Sequence, residues 1–277
     1  FFKQMTAYEI MPSLVGADLC IRDSSIRPDS KLATVDITIP VFNEEEVLAE
    51  TIASLTRFLE ENLLNPWRVT IADNASTDNT KTISESLCSQ YQGVNYLRIS
   101  QKGRGRALRT AWLDSNADIV AYMDADLSTD LVHFPQLIQS LESGSHIAIG
   151  SRLSTESQVD RGFKREVISR GYNLLINSMF FTGLPDAQCG FKALTRTTAE
   201  AIVPYIKNNN WFFDTELLVI AAKRGFNITS VPVKWIDDPN STVNVINTAK
   251  EDIKGLLRLR FGGVPQVSLP APLSKDP

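Results

Sequence analysis

From Leu32 to about Ile149 the chain alternates between short runs rich in β-branched residues and longer stretches in which apolar residues recur every three or four positions. Side chains alternate across a strand and return to one face of a helix every 3.6 residues, so the first kind of run reads as strand and the second as helix. Strands are predicted at Thr34 to Pro40, Val69 to Asp73, Val94 to Ile99, Ile119 to Met123 and Ile147 to Ile149. Helices are predicted at Glu45 to Leu63, Thr80 to Tyr91, Gly105 to Ser115 and Phe134 to Leu141. Such a βαβ series implies an α/β fold, a mostly parallel sheet with helices on both faces.

The ends of the predicted strands carry the chemistry. Ile119 to Met123 runs into Asp124-Ala125-Asp126. In an extended backbone residues i and i+2 point the same way, which would aim both carboxylates beyond the carboxyl end of the strand, where open α/β sheets take ligands. Two hard oxygen donors without His or Cys suit Mg²⁺ or Mn²⁺ on a diphosphate better than zinc; a solvated turn is the plain alternative. The first strand ends in Pro40-Val41-Phe42-Asn43-Glu44-Glu45-Glu46, where Asn43 is placed to cap the next helix and the glutamates suit its positive end. The second ends in Asp73-Asn74-Ala75-Ser76-Thr77-Asp78, acceptors for a base edge or ribose hydroxyls, or simply a turn and N-cap. Lys102-Gly103-Arg104-Gly105-Arg106 lets backbone approach while cations face phosphates, but lacks the GxGxxG spacing of a dinucleotide fingerprint.

Composition bounds this picture. With 277 residues, 43% of them hydrophobic, the chain can bury a substantial core as one domain or a domain with an added lobe. A net charge of −4 argues against nonspecific nucleic-acid binding. Cys20, Cys88 and Cys189 are scattered, which indicates neither a disulfide framework nor a zinc site and makes a reducing cytoplasm the simplest setting. No apolar run approaches the roughly 18 residues of a bilayer span, so membrane contact is expected to be peripheral. Residues 1–31 read as a flexible arm, because Pro12, Gly16 and Asp18 break any signal-peptide core. Residues 262–277 read as a Pro-rich tail or linker, leaving 32–261 as the domain.

Further along stand Gly150-Ser151-Arg152, Asp186-Ala187-Gln188-Cys189-Gly190-Phe191-Lys192, Trp211-Phe212-Phe213-Asp214-Thr215-Glu216-Leu217-Leu218 and Val231-Pro232-Val233-Lys234-Trp235, followed by Asp237, Asp238 and Ser241. Taken in order from about Val35 to Phe261, these segments resemble family 2 glycosyltransferases of the GT-A fold, and among them the polyprenyl-phosphate sugar transferases such as dolichyl-phosphate glucosyltransferase. The resemblance implies a nucleotide-sugar donor and a C-terminal helical extension on the acceptor side. It places Pro40, Phe42, Glu44 and Asp73 on the nucleobase and ribose, Asp124 and Asp126 on the metal and diphosphate, and Lys102, Arg104 and Arg106 along the donor phosphates. Two departures stand out: the usual Asp-Asp-Gly-Ser is Asp73-Asn74-Ala75-Ser76, and Ser128 occupies a position where mannosyl relatives often have Gln.

In the resembling lipid-phosphate transferases, arginines at the Gly-Ser-Arg motif and about a dozen residues later grip the acceptor phosphate, which points to Arg152 and Arg165. Asp126 and Asp186 are the expected catalytic carboxylates, Asp186 orienting the acceptor or stabilising charge on the sugar, or else capping its own turn. Trp211, Asp214 and Glu216 are expected to shape the sugar pocket or hold its loop, with Phe212 and Phe213 in the core. Tyr172, Leu174, Leu175, Met179, Phe180 and Phe181 would lie against the bilayer, or against the sheet as an ordinary amphipathic helix. Lys254 to Arg260 is likewise a membrane-proximal tail or a plain helix end.

The expected reaction is inverting transfer of a hexose from a nucleotide sugar to a polyprenyl phosphate at the inner face of the membrane. UDP-glucose leads, with GDP-mannose open. A phosphate acceptor is already largely ionised near pH 7, its second pKa being about 6, so no strong base is required. A saccharide or other hydroxyl acceptor would require one, and Asp186 would then be obligatory. A non-catalytic nucleotide-sugar-binding module is the alternative of another class.

Overall fold

The computed structural model of the protein describes residues 32–160, 163–236 and 245–273, without the side chains of 160, 163–165, 245 and 246. The N-terminal arm and the Asp237, Asp238 and Ser241 positions lie outside the described residues.

Alternation along the strands decides how the layers stack. In β1 (Val35–Val41), Val35, Ile37, Ile39 and Val41 all enter one apolar cluster. In β4 (Ile119–Met123), Ile119, Ala121 and Met123 join that same cluster while Val120 and Tyr122 enter a second one on the opposite face. Both faces of the sheet are therefore covered, as a parallel sheet requires. On the first face lie α1 (Leu48–Asn62), through Leu48, Ile52, Leu55 and Leu59, and α4 (Phe134–Glu142), through Phe134, Leu137, Ile138 and Leu141. The spacing of these residues is that of a single helical stripe. α2 (Thr80–Gln90) follows β2 (Trp67–Asn74) and sends Leu87 into the same cluster.

The opposite face is covered by α3 (Arg104–Asp114), α5 (Phe163–Phe180), α6 (Arg196–Ile202), α7 (Phe212–Lys223) and α8 (Val245–Gly262), which all contribute to the second cluster. α7 is buried over ten consecutive residues, including the apolar Phe212 and Phe213 and the charged Asp214 and Glu216.

With β3 (Val94–Ile99), β5 (Ile147–Ser151), β7 (Phe191–Thr195) and β8 (Ile228–Pro232), the main sheet has the order β3-β2-β1-β4-β7-β5-β8. β1, β2, β3 and β4 are mutually parallel, so the turns after all four open on one edge, as the sequence pattern predicts. β7 is antiparallel to both its neighbours and pairs Phe191 with Met123. Its entry turn, residues 186–190, is thereby delivered beside the exit of β4. A small parallel pair, β6 (Gln158–Asp160) with β9 (Lys234–Ile236), flanks this edge, and Trp235 bridges to Thr129.

After α8, Gly263 takes a positive φ of 84° and the chain leaves the helix. The Pro-rich segment runs against the domain through residue 273. The Arg224 guanidinium donates to the carbonyls of Val264 and Pro265, His146 Nε2 lies 3.1 Å from the Pro270 carbonyl, and Leu273 packs on the first cluster.

Candidate active site

The acids of Asp124-Ala125-Asp126 follow β4 on a turn rather than on continued strand. The Leu127 amide donates to the Asp124 carbonyl at 3.1 Å, and Leu127 has φ 48°. The i, i+2 strand argument does not apply here, and the two carboxylates occupy different surroundings. Asp126 is exposed and accepts from the Ser128 amide at 3.0 Å. Asp124 is held from two sides. Arg104, the first residue of α3, donates from one guanidinium nitrogen to Asp124 Oδ1 at 2.8 Å and from the other to Asp214 Oδ2 at 2.7 Å. Gly190 lies so close that a Cβ there would sit 1.7 Å from Asp124 Oδ2.

Behind this pair is a buried ionic array. Lys192, fully buried in β7, places its ammonium 3.0 Å from Asp214 Oδ1 and donates to the Cys189 carbonyl, and the Tyr122 hydroxyl also donates to Asp214. Burial pushes the Asp214 carboxyl up, but Lys192, Arg104 and Tyr122 outweigh it and hold the group below its ordinary range. Asp124, Arg104, Asp214 and Lys192 thus form two carboxylates interleaved with two cations. Trp211 closes the array, its half-exposed ring 4.7 Å from the Arg104 guanidinium. Arg104, expected along the donor phosphates, has both terminal nitrogens on carboxylates.

Asp214 and Glu216 do not share a pocket. Two residues apart on a helix is a rotation of about 200°, which puts them on opposite sides of α7. Glu216 receives Arg258 of α8 in a two-point bond of 2.9 and 2.7 Å and the Asn208 amide at 3.1 Å, so it holds the loop leading to Trp211.

On the acceptor side Asp186 is buried and saturated by Arg152. Its Oδ2 accepts from Arg152 Nε at 2.9 Å and from the Arg152 amide at 3.1 Å, while Oδ1 accepts from a terminal guanidinium nitrogen and from the Gln188 amide, each at 3.1 Å. Burial pushes the Asp186 carboxyl up, and the Arg152 charge more than reverses this. Two of Arg152's five N–H donors are used in this fork, and Trp235 lies 5.5 Å from the guanidinium. Arg165 lies in α5, its side chain outside the described residues.

On the donor side the turns after β1 and β2 are laced together. Asn43 has a positive φ of 57° and does not cap α1, which starts at Leu48 without a side-chain cap. Instead its Oδ1 accepts from the Thr77 amide at 2.8 Å, its amide donates to Ser76, and the Glu44 amide donates to Thr80. Pro40 is half-buried in β1 beside this lacing, and the Lys102 ammonium lies 3.4 Å from the centre of the half-buried Phe42 ring. Arg106 donates to the Lys102 carbonyl at 3.1 Å. Asp73 is fully buried; it accepts from the Ser76 amide at 2.8 Å, from Tyr96 at 2.7 Å and from Arg98. Burial raises its carboxyl, and the bonds from Tyr96, Ser76 and Arg98 lower it further than that. Asn74, standing where a second carboxylate is usual, accepts from the Gly103 amide at 2.5 Å and so ties β2 to the Gly-rich turn.

Gly190, Lys192, Tyr122 and Asp252 are among the participants the sequence reading leaves without a role. Lys192 carries a legible signal, a lone cation inside the apolar strand Phe191-Lys192-Ala193-Leu194. Asp252 of α8 carries none. It is 4% exposed, accepts from Gln188 Nε2 at 3.2 Å and leaves its Oδ1 without a hydrogen-bond partner among the described residues. Burial first, then the charges of Glu251 and Asp214, push its carboxyl up to about 6 against the Tyr172 hydroxyl, which pulls it down. The folded chain therefore binds this proton more tightly than the unfolded chain, and the cost of ionising it grows as pH rises from the ordinary 3.8 to about 6 and is complete above that. Asp252→Asn is expected to raise the melting temperature by several degrees at pH 8, with the gain vanishing toward pH 4; thermal melts across that range measure it.

The donor set at the sheet edge fits a hard divalent cation in part. Among the described residues no group of three acidic, His or Cys side chains is gathered to hold one, so Asp126 and Asp124 would share it with oxygens of a bound diphosphate.

Comparison with known proteins bears on the family and the fold. AglD of Haloferax volcanii is 32% identical over 241 residues, which is 85% of this chain but 38% of AglD, so the chain spans well under half of that relative. The dolichyl-phosphate beta-glucosyltransferase of Saccharomyces cerevisiae is 27% identical over 253 residues, 84% of this chain and 76% of the yeast protein. Glucosyl-3-phosphoglycerate synthase of Mycobacterium tuberculosis, solved with Mn²⁺, UDP and glucosyl-3-phosphoglycerate, superposes with a TM-score of 0.64 at 17% identity over 84% of this chain and 81% of that one, a likeness of the GT-A fold. The sequence pattern described as "Glycosyl transferase family 2" matches residues 36–203, well over half of the protein, and the chain belongs to that family of glycosyltransferases.

Proposed function

We propose that the protein transfers a hexose, glucose from UDP-glucose, to a polyprenyl phosphate at a membrane surface, inverting the anomeric centre. The observation that carries this reading is the state of Asp186. Both its oxygens are occupied by Arg152 and by backbone amides, so it is poorly disposed to take a proton from a hydroxyl acceptor. It is well disposed to aim a guanidinium, and an acceptor that arrives already ionised needs that cation rather than a base. The names of the curated relatives, dolichyl-phosphate beta-glucosyltransferases among them, point to the same acceptor class.

Each group then has a task. Phe42, Pro40 and Glu44 form the wall for the nucleoside, with Asp73 holding Arg98 and the Ser76 turn behind it. Lys102 and Arg106 face the donor phosphates from the Gly-rich turn. Arg104 orients Asp124, and Trp211 covers the sugar. Arg152, with Arg165 from α5, receives the acceptor phosphate and aligns its oxygen behind the anomeric carbon. A divalent cation held by Asp126 and Asp124 supplies neutralisation of the departing diphosphate when bound.

The membrane contact rests on two helices. No helix among the described residues is long and apolar enough to cross a membrane. α5 exposes Val167, Ile168, Leu174 and Leu175, which share one face because seven residues is nearly two turns, and Phe181 follows it. α8 exposes Ile253, Leu257 and Phe261 beside Lys254 and Arg260. Apolar rows flanked by cations suit a peripheral seat on anionic lipid.

The test is a melting panel followed by turnover. UDP-glucose with Mn²⁺ is expected to raise the melting temperature by mass action, and UDP-glucose alone to raise it less. Radiolabel from UDP-glucose should then pass to polyprenyl phosphate in vesicles, and Asp126→Ala should end that transfer. Label passing to a free sugar in place of the lipid would sink the acceptor assignment, and GDP-mannose outperforming UDP-glucose would sink the donor assignment.

A further inference from the structure

α8 follows the segments that make the sheet edge, yet two of its consecutive residues reach both walls of the site. Neighbours on a helix project about 100° apart, so one turn can address two separate loops. Glu251 accepts from Asn208 Nδ2 at 2.6 Å and from Asn210 Nδ2 at 3.0 Å. That loop also receives the Arg106 amide on the Asn209 carbonyl at 3.0 Å, and it ends at Trp211, which lies over Arg104. Asp252 points the other way and accepts from the side-chain Nε2 of Gln188, whose backbone N–H donates to Asp186, the holder of Arg152. The helix is seated by the Arg258–Glu216 fork and by Gly255, where a Cβ would come within 2.3 Å of the Phe212 ring. Its outer row of Ile253, Leu257 and Phe261 is the one assigned above to lipid.

We propose that α8 is the positioning element of the site, with Glu251 setting the donor-side loop 207–211 and Asp252 setting the acceptor-side turn 186–190. The inference rests on the transferase reading for its kinetic consequence, but the mechanical claim stands apart from it. Neither residue touches the reacting atoms; each grips side chains of a loop whose backbone makes the onward contacts. Because both prongs leave one turn of one helix, a displacement of α8 on seating at a lipid surface would reach donor and acceptor together.

Hydrogen–deuterium exchange and steady-state kinetics test this jointly, on the whole chain. Glu251→Ala is expected to speed amide exchange in 207–211 alone and to raise the KM for UDP-glucose about tenfold, with the polyprenyl-phosphate KM within about twofold of the parent. Asp252→Ala should do the converse, speeding 186–190 and raising the acceptor KM. Glu251→Gln and Asp252→Asn, which keep an acceptor oxygen, should restore both. Should an alanine variant fail to fold, the double variant Asn208→Ala/Asn210→Ala and the single variant Gln188→Leu cut the same two links from the other end and are expected to give the same two patterns. Parental exchange in both segments, or both segments loosening together in either variant, or no rescue by the amides, overturns the proposal. If the parent transfers no sugar while the exchange patterns appear as described, the fault lies with the transferase reading and the positioning role stands.

Discussion

Gly190→Ala is expected to leave the protein folded and to cost about 10²-fold in kcat/KM, the scale on which misplacing a reacting group by an ångström is felt. The added methyl would fall 1.7 Å from Oδ2 and 2.5 Å from Cγ of Asp124, so something must move. Asp124 cannot turn away freely, because its other oxygen is bonded to Arg104 at 2.8 Å and Arg104 is itself fixed on Asp214 at 2.7 Å. Either that ionic contact breaks or the 186–190 turn lifts, and the second course carries Asp186 and Arg152 with it. Gly190 does not have a positive φ, so alanine suffers no backbone penalty there and the stability loss should stay within the ~1–3 kcal/mol of an overpacked site. Kinetics with a parallel melt measure both halves of the expectation; a variant with parental turnover would show that Asp124 has no fixed place in the reaction.

Asp214→Asn is expected to be the most destabilising single-atom exchange in the site. It leaves Arg104 and Lys192 facing one another with one carboxylate, Asp124, in place of two, and Lys192 has no exposed surface through which water could compensate. Removing one partner of a buried ionic group costs about 3–5 kcal/mol, which for a domain of this size is on the order of 10 °C in Tm. The comparison is Glu216→Gln, two residues on. Its partner Arg258 keeps a third of its side chain in water, so a clearly smaller loss is expected. Equal losses in the two variants would show that the interleaved charges around Asp214 do not act as a unit.

What was legible in the sequence follows from which forces are local. The five predicted strands and four predicted helices of the first half are found within a few residues, because their apolar periods are set by layers that lie directly above and below them. The opening of four turns on one edge follows from parallel pairing alone. The antiparallel insertion of β7 is not legible, since no nearby residue says where a strand returning after a long helix will dock. Side-chain partners are less legible for a related reason. Asn43 satisfies every rule for a helix cap, yet the acceptors of the neighbouring turn compete for it and win. Asp214 and Glu216 look like a pair in the sequence, and helical rotation separates them. Asp186 reads as a catalytic carboxylate or as the cap of its own turn, and only the fold, which brings up Arg152 from just after β5, shows where its lone pairs go.

The place of β7 also governs the order in which the polypeptide can be completed. Its neighbour β4 is buried at all five positions, and one long edge of that ribbon has no partner until Phe191 emerges. At 5–20 residues per second a ribosome takes roughly 3–14 s to supply it, and during that interval an apolar template with open amides is on offer to any similar chain nearby. Crowding among unfinished copies is then a hazard of making this protein.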